Sequence, residues 1–87
     1  GKVSWMIPLA RALTVGGIQA AYARLEEIKR NPDYFLDPYD LVTLVYQLLS
    51  VKKYDLAIEV LKLNLHAFPD HQESKTLLSR VAAQKDG

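Results

Sequence analysis

The chain has no cysteine, so neither a disulfide framework nor a thiolate metal site can be built from it. It also lacks any apolar run near the roughly 20 residues a bilayer-crossing helix needs. An excess of one charge sign is missing too: eleven Lys and Arg stand against ten Asp and Glu, a net +1. That balance leaves no electrostatic footprint for nucleic acid or for an anionic membrane surface. The start, Gly1 to Pro8, carries one charge and only a short apolar patch, which does not read as a signal peptide. It begins on glycine rather than methionine, which reads as a processed or cut-out piece of something longer.

Against these absences, 49% of the 87 residues are hydrophobic. A chain this short buries roughly 60–65% of the surface it exposes when unfolded. A core can form, with little room for a deep catalytic cleft and its supporting residues.

Four glycines and four prolines punctuate the sequence. Gly16-Gly17, Asn31-Pro32-Asp33, Asp37-Pro38 and Pro69 separate segments whose apolar residues recur every three or four positions, the helical period. From Pro38 to Ser50, the residues Leu41, Leu44, Val45, Leu48 and Leu49 form one stripe. Asp37 suits the cap position, and Pro38 suits the first helical position, where a missing N–H costs nothing. After a turn at Val51-Lys52-Lys53, Ala57, Ile58, Leu61, Leu65 and Phe68 mark a helix that Pro69 stops. Ile18, Ala21, Tyr22, Leu25 and Ile28 mark another, and Asp70 can cap a last one carrying Leu77, Leu78 and Val81. The first segment is helical with Pro8 awkwardly inside it. The pattern predicts a single all-α domain over 1–87 with about five helices, near 4–14, 17–30, 38–50, 54–68 and 70–84. Its short connectors make neighbours antiparallel pairs.

The spacing also repeats. With Pro38 as the first position of a 34-residue unit, Leu41, Leu44, Val45 and Leu48 fall at positions 4, 7, 8 and 11. Ala57, Leu61, Asn64 and Pro69 fall at 20, 24, 27 and 32. These are signature positions, and the segment resembles a tetratricopeptide repeat. The resemblance implies an α-α superhelix in which small Ala57 lets two helices approach closely. Val45 departs from the usual glycine or alanine. Asn64 departs from the usual alanine, and its amide would need a partner if buried. Ala21, Leu25, Ile28 and Pro32 echo the second helix one residue out of register. Leu78, Ser79 and Ala82 open a further first helix at positions 7, 8 and 11.

A narrower likeness covers about residues 5–83. Gly17-Ile18, Ala20-Ala21-Tyr22, Tyr34, Leu41, Tyr46-Gln47-Leu48-Leu49, Lys53 to Ile58, Leu61 to Asn64 and Phe68-Pro69-Asp70 resemble the helical tail of some bacterial serine hydrolases. These are β-lactamase-like (penicillin-binding-protein-type) enzymes and some α/β-hydrolase esterases. That tail commonly carries the asparagine, but reads Leu-Gly-Tyr where Leu44-Val45-Tyr46 stands and Ser-Leu-Gly where Leu77-Leu78-Ser79 stands. The likeness implies an accessory domain that shapes or stabilises a preceding catalytic domain, in the periplasm or cell envelope.

No catalytic motif accompanies either resemblance. The serines are Ser4, Ser50, Ser74 and Ser79, none in a Ser-x-x-Lys or Gly-x-Ser-x-Gly setting. Gly16-Gly17 lacks the rest of a phosphate-binding loop and reads as a turn. His66 and His71 cannot share one helix face across Pro69, lack a third ligand beyond Asp70, and read as ordinary surface histidines. Adjacent Glu26 and Glu27 diverge by about 100° on a helix and read as solvated, Glu26 within reach of Arg30. Lys29-Arg30 and Lys52-Lys53 suit helix C-termini.

In tetratricopeptide repeats positions 2, 5, 9, 12 and 13 of the first helix line a groove, which the resemblance places at Tyr39, Val42, Tyr46, Leu49 and Ser50. Val42 and Tyr46 exclude a polar clamp for C-terminal carboxylates and imply an apolar groove for a helix, a peptide or a neighbouring domain. The first segment, with Trp5, Ile7, Leu9 and Leu13, either covers this surface or leaves it open. The expected role is therefore non-catalytic, needing no cofactor and no metal. Its partners would be another protein or the preceding domain of its own chain. A half-repeat with Leu77, Leu78 and Val81 uncovered would favour a homodimer.

Overall fold

The computed structural model describes residues 3–87, which fall into two compact units, Gly1–Asp37 and Pro38–Gly87. Helices dominate both.

In the first unit, strand β1 (Val3–Ser4) precedes helix α1 (Met6–Lys29), and strand β2 (Tyr34–Phe35) follows it. The strands pair in parallel, Val3 with Tyr34 and Ser4 with Phe35. The Trp5 N–H extends the pairing to the Phe35 carbonyl at 3.3 Å. Nothing in the residue pattern announces so short a pair, because two residues show no period. Trp5 is fully buried, and its indole N–H donates to the Asp37 carbonyl at 3.2 Å. Leu9, Ala21, Leu25 and Ile28 complete the buried set of this unit.

Helix α1 corrects the expectation of separate helices at 4–14 and 17–30. Helical hydrogen bonding runs from Met6 to Lys29 with a single break at Gly17, whose φ of 77° and ψ of −170° lie outside helical space. Four helices are thus present among the described residues, the first of them kinked, rather than five. Pro8 is tolerated because it is the third residue of α1, where the backbone N–H has no partner within the helix anyway. Ser4 Oγ accepts the Met6 N–H at 3.3 Å and satisfies another donor of that first turn. The Asn31-Pro32-Asp33 turn is closed by the Asn31 side chain, whose Oδ1 accepts the Asp33 N–H at 2.9 Å.

The second unit holds α2 (Pro38–Ser50), α3 (Tyr54–Ala67) and α4 (Gln72–Asp86). Helix α3 packs against both of the others. Its end meets the beginnings of α2 and α4, through Asn64 to Pro38 and Ser74. Its beginning meets the end of α4, through Tyr54 to Gln84 and Asp55 to Lys85. Each neighbouring pair is therefore antiparallel. Central α3 buries a wide arc: Ala57, Val60, Leu61, Leu63 and Asn64. The expected single stripe missed Val60 and Leu63, since a helix covered on two sides needs apolar residues on two sides. On α2 the buried residues are Leu41, Val42 and Val45, with Leu44, Leu48 and Leu49 half-buried, so the core face is turned toward Val42.

Helix ends show where local chemistry decides. Val51, Lys52 and Lys53 close α2 by a left-handed C-terminal turn. The Lys53 N–H donates to the Leu48 carbonyl at 2.9 Å and the Lys52 N–H to Leu49 at 3.0 Å, with Lys52 at φ 60°. Phe68 leaves helical space ahead of Pro69, as the residue before a proline must. Helix α4 begins at Gln72 with His71 at the cap position, so exposed Asp70, expected as the cap, lies in the preceding turn.

Candidate functional site

Two arrangements of side chains in the second unit stand out. One is buried and polar, the other an open cleft.

The buried one centres on Asn64. Its Nδ2 donates to the Pro38 carbonyl at 3.0 Å and to Ser74 Oγ at 2.9 Å. Ser74 Oγ lies 2.8 Å from His71 Nδ1, and the His71 ring stands edge to face with Tyr39 at 5.0 Å between centroids. Asn64 Oδ1 and His71 Nε2 are buried and take no hydrogen bond. His71 is therefore no ordinary surface histidine; only His66 is exposed. A serine beside an imidazole invites comparison with a nucleophile and its base. Here, however, Ser74 is fully buried and its Oγ also accepts the Asn64 amide. The cluster ties the start of α2, the end of α3 and the start of α4 together.

The cleft, about 380 Å³, opens between α2 and α4 and is lined by Tyr46, Gln72, Glu73, Thr76, Leu77 and Arg80. Tyr46 stands on one wall with half its surface exposed. The α4 residues share one face, since helical neighbours recur at three and four. Apolar surface comes from the Tyr46 ring and Leu77, while the remaining lining is polar or charged.

Of the five residues expected in a groove, only Tyr46 lines this cleft. Tyr39 is exposed but meets the His71 ring edge to face, and Leu49 is half-buried. Ser50 is exposed and its Oγ donates to the Gln47 carbonyl at 2.6 Å. Val42 is buried, only 4% exposed, so it belongs to the packing of α2 rather than to an open surface. Among the signature residues Leu41, Val45, Ala57, Leu61 and Asn64 are buried; Leu44 and Leu48 are half-buried, and Pro69 is exposed. The α4 wall was overlooked because Gln72, Glu73, Thr76 and Arg80 carry no hydrophobic signal.

Elsewhere, Glu26 pairs with Lys29 at 3.9 Å and Glu27 with Arg24 at 2.8 Å, both along α1. Among the described residues no three His, Asp or Glu side chains gather closely enough to hold a metal ion. No described helix is long and apolar enough to cross a membrane. No family model matches the chain, and neither a curated protein nor a solved structure matches it.

Proposed function

We propose that the second unit is a non-catalytic, tetratricopeptide-like module that holds another protein, or the preceding domain of its own chain, in the cleft between α2 and α4. The observation that carries this reading is the position of Tyr46 opposite Glu73, Thr76 and Arg80 around one opening. In the 34-residue frame Tyr46 is position 9 of its helix. The frame that numbers Leu78 as position 7 of the next unit numbers Glu73, Thr76 and Arg80 as 2, 5 and 9. Groove positions of two successive first helices thus meet at one cleft.

The lining favours contact over chemistry. A tyrosine supplies a large, stiff contact surface with a polar tip, and an arginine supplies forked donors for a carboxylate or a carbonyl. Both residue types are enriched where binding energy concentrates. The groove of this proposal is apolar at its floor and polar at its rim, not apolar throughout.

A photo-crosslinking amino acid at position 46, in the full chain, tests the proposal in extract from the source organism. A discrete adduct should form that unlabelled wild-type chain competes away and the Tyr46→Ala/Arg80→Glu variant does not. Circular dichroism of that variant should keep its helical signal, since both side chains are exposed. Equal adducts from a probe at exposed Lys62 on α3, or full competition by the double variant, would refute the cleft as the contact.

A further inference from the structure

The kink at Gly17 brings the two halves of α1 around a second cleft, of about 340 Å³, lined by Pro8, Arg11, Ala12, Val15 and Arg24. Its two cations arrive differently prepared. Arg24 is anchored, with Nη1 donating to Glu27 at 2.8 Å and Nη2 to the Tyr34 hydroxyl at 3.2 Å. Those bonds commit two of its five N–H groups and leave the others free to donate. Arg11 is exposed and makes no ion pair with any described residue. No Asp or Glu occurs anywhere from residue 3 to residue 25. The first half of α1 therefore carries the cation of Arg11 and no carboxylate of its own, while Arg24 on the second half is already paired with Glu27.

Apolar surface flanks that charge on both sides. Ile7, Arg11 and Val15 succeed one another at intervals of four and share one face of α1. Ile7 is 65% and Val15 83% exposed. Each step is about 6 Å along the axis. The pattern is apolar, cationic, apolar at one-turn intervals beside a cleft holding a second guanidinium.

We propose that this face docks an amphipathic helix of a partner protein that carries one carboxylate between two apolar side chains, each one turn away. The carboxylate is received by Arg11 and Arg24, and the apolar side chains lie on Ile7 and on Val15. Charge complementarity selects this occupant: a cationic helix would be repelled by Arg11, with which no described carboxylate pairs. A lipid surface is the weaker match. Interfacial helices present several Lys or Arg with Trp, Phe or Leu on the other face. Here one exposed arginine serves, while Trp5 and Leu9 are buried.

The full chain, 15N-labelled, is titrated with two blocked Ala/Gln-based helical peptides, one with Leu-x-x-x-Glu-x-x-x-Leu and the other with lysine in place of the glutamate. The glutamate peptide should shift the amides of residues 7–15 saturably and bind about tenfold or more tighter than the lysine peptide. Arg11→Glu should invert that preference, and its melting curve should match wild type because the side chain is exposed. The proposal is overturned if neither peptide binds, if both bind alike, or if Arg11→Glu keeps the original preference. Binding to anionic phosphatidylglycerol vesicles with no response to either peptide would likewise replace it with the lipid reading. None of these outcomes touches Tyr46 or Arg80, so the cleft of the second unit stands or falls separately.

Discussion

The Asn64 amide donates to Ser74 Oγ across 2.9 Å, joining two helices at a point where neither side chain has any exposed surface. The second donor of the same amide reaches the Pro38 carbonyl, in the first turn of α2, at 3.0 Å. One side chain thus fixes the mutual positions of three helix ends. A small apolar residue would allow close approach there but could not set the register.

Asn64→Ala should therefore cost more than its lost volume suggests. It leaves Ser74 Oγ short of a donor in buried surroundings, at about 1–3 kcal/mol for an unsatisfied group, and removes a donor from the half-buried Pro38 carbonyl. With the small cavity added, a loss of about 2–4 kcal/mol is expected from urea denaturation. Ser74→Ala should cost about 1–2 kcal/mol, and the double variant less than the sum, because the two share a bond. A loss under about 0.5 kcal/mol for Asn64→Ala would show that the amide does not hold the helix ends together.

How far the residues announced this fold follows from what each signal measures. Helical period placed α2 with its observed bounds because its cap, proline and stripe all act locally. The same signal placed the break in α1 at Gly16-Gly17 but not its form, since period cannot tell a loop from a single non-helical residue. It gave α3 one stripe where two were needed, because how many sides a helix buries is decided by its neighbours. Asn64 was legible as a polar residue in a core position requiring a partner. Its partners Ser74 and the Pro38 carbonyl were not, being ten and twenty-six residues away. The two clefts were hidden for a related reason: each gathers polar and apolar residues from different helical segments.

At the kink, the two glycines should fail differently. Gly17 sits at φ 77°, ψ −170°, a region open essentially to glycine alone, and a Cβ there meets nothing within 4 Å. Gly17→Ala should cost about 1–3 kcal/mol through backbone strain alone. Gly16 has the opposite problem: a Cβ would stand 2.6 Å from the Ala20 Cβ. Gly16→Ala should lose about 1–3 kcal/mol by overpacking. Adding Ala20→Gly should recover part of that loss, less about 1 kcal/mol for glycine inside a helix. No such rescue should occur for Gly17→Ala. Thermal melts of the four variants decide it, and rescue of Gly17→Ala by Ala20→Gly would contradict the assignment.

The turn after α2 carries an unfavourable residue at its critical point. Lys52 holds the left-handed conformation, φ 60°, that ends the helix, a position where glycine is ordinarily preferred. A side chain costs roughly 1–2 kcal/mol in left-handed space, and glycine avoids it. Lys52→Gly should therefore stabilise the chain, by about 0.5–1 kcal/mol after its greater unfolded-state entropy is counted. Lys52→Val should destabilise it, being branched at Cβ. Equal midpoints for wild type and Lys52→Gly in urea would mean that the turn stores no strain.

The ion pair between Lys85 near the end of α4 and Asp55 at the start of α3 gives a dependence on alkaline pH. The hydrogen bond that Lys85 donates to the Asp55 carboxylate is the main reason that the Lys85 pKa is raised above 10.5, and the Coulombic pull of the same carboxylate adds to it. A lysine whose pKa is raised on folding contributes stability that is fully present below its unfolded value. That contribution is lost as pH rises through the folded value. The pair is exposed, so its contribution is small and screened by salt. Lys85→Met should lower Tm by a constant, small amount from neutral pH up to about 10.5. The gap should close above that pH, and it should narrow at neutral pH in molar salt. Asp55→Asn should reproduce both trends, since it removes the same bond from the other side. A gap that persists unchanged above the lysine range would assign the effect to the packing of the Lys85 stem, not to its charge.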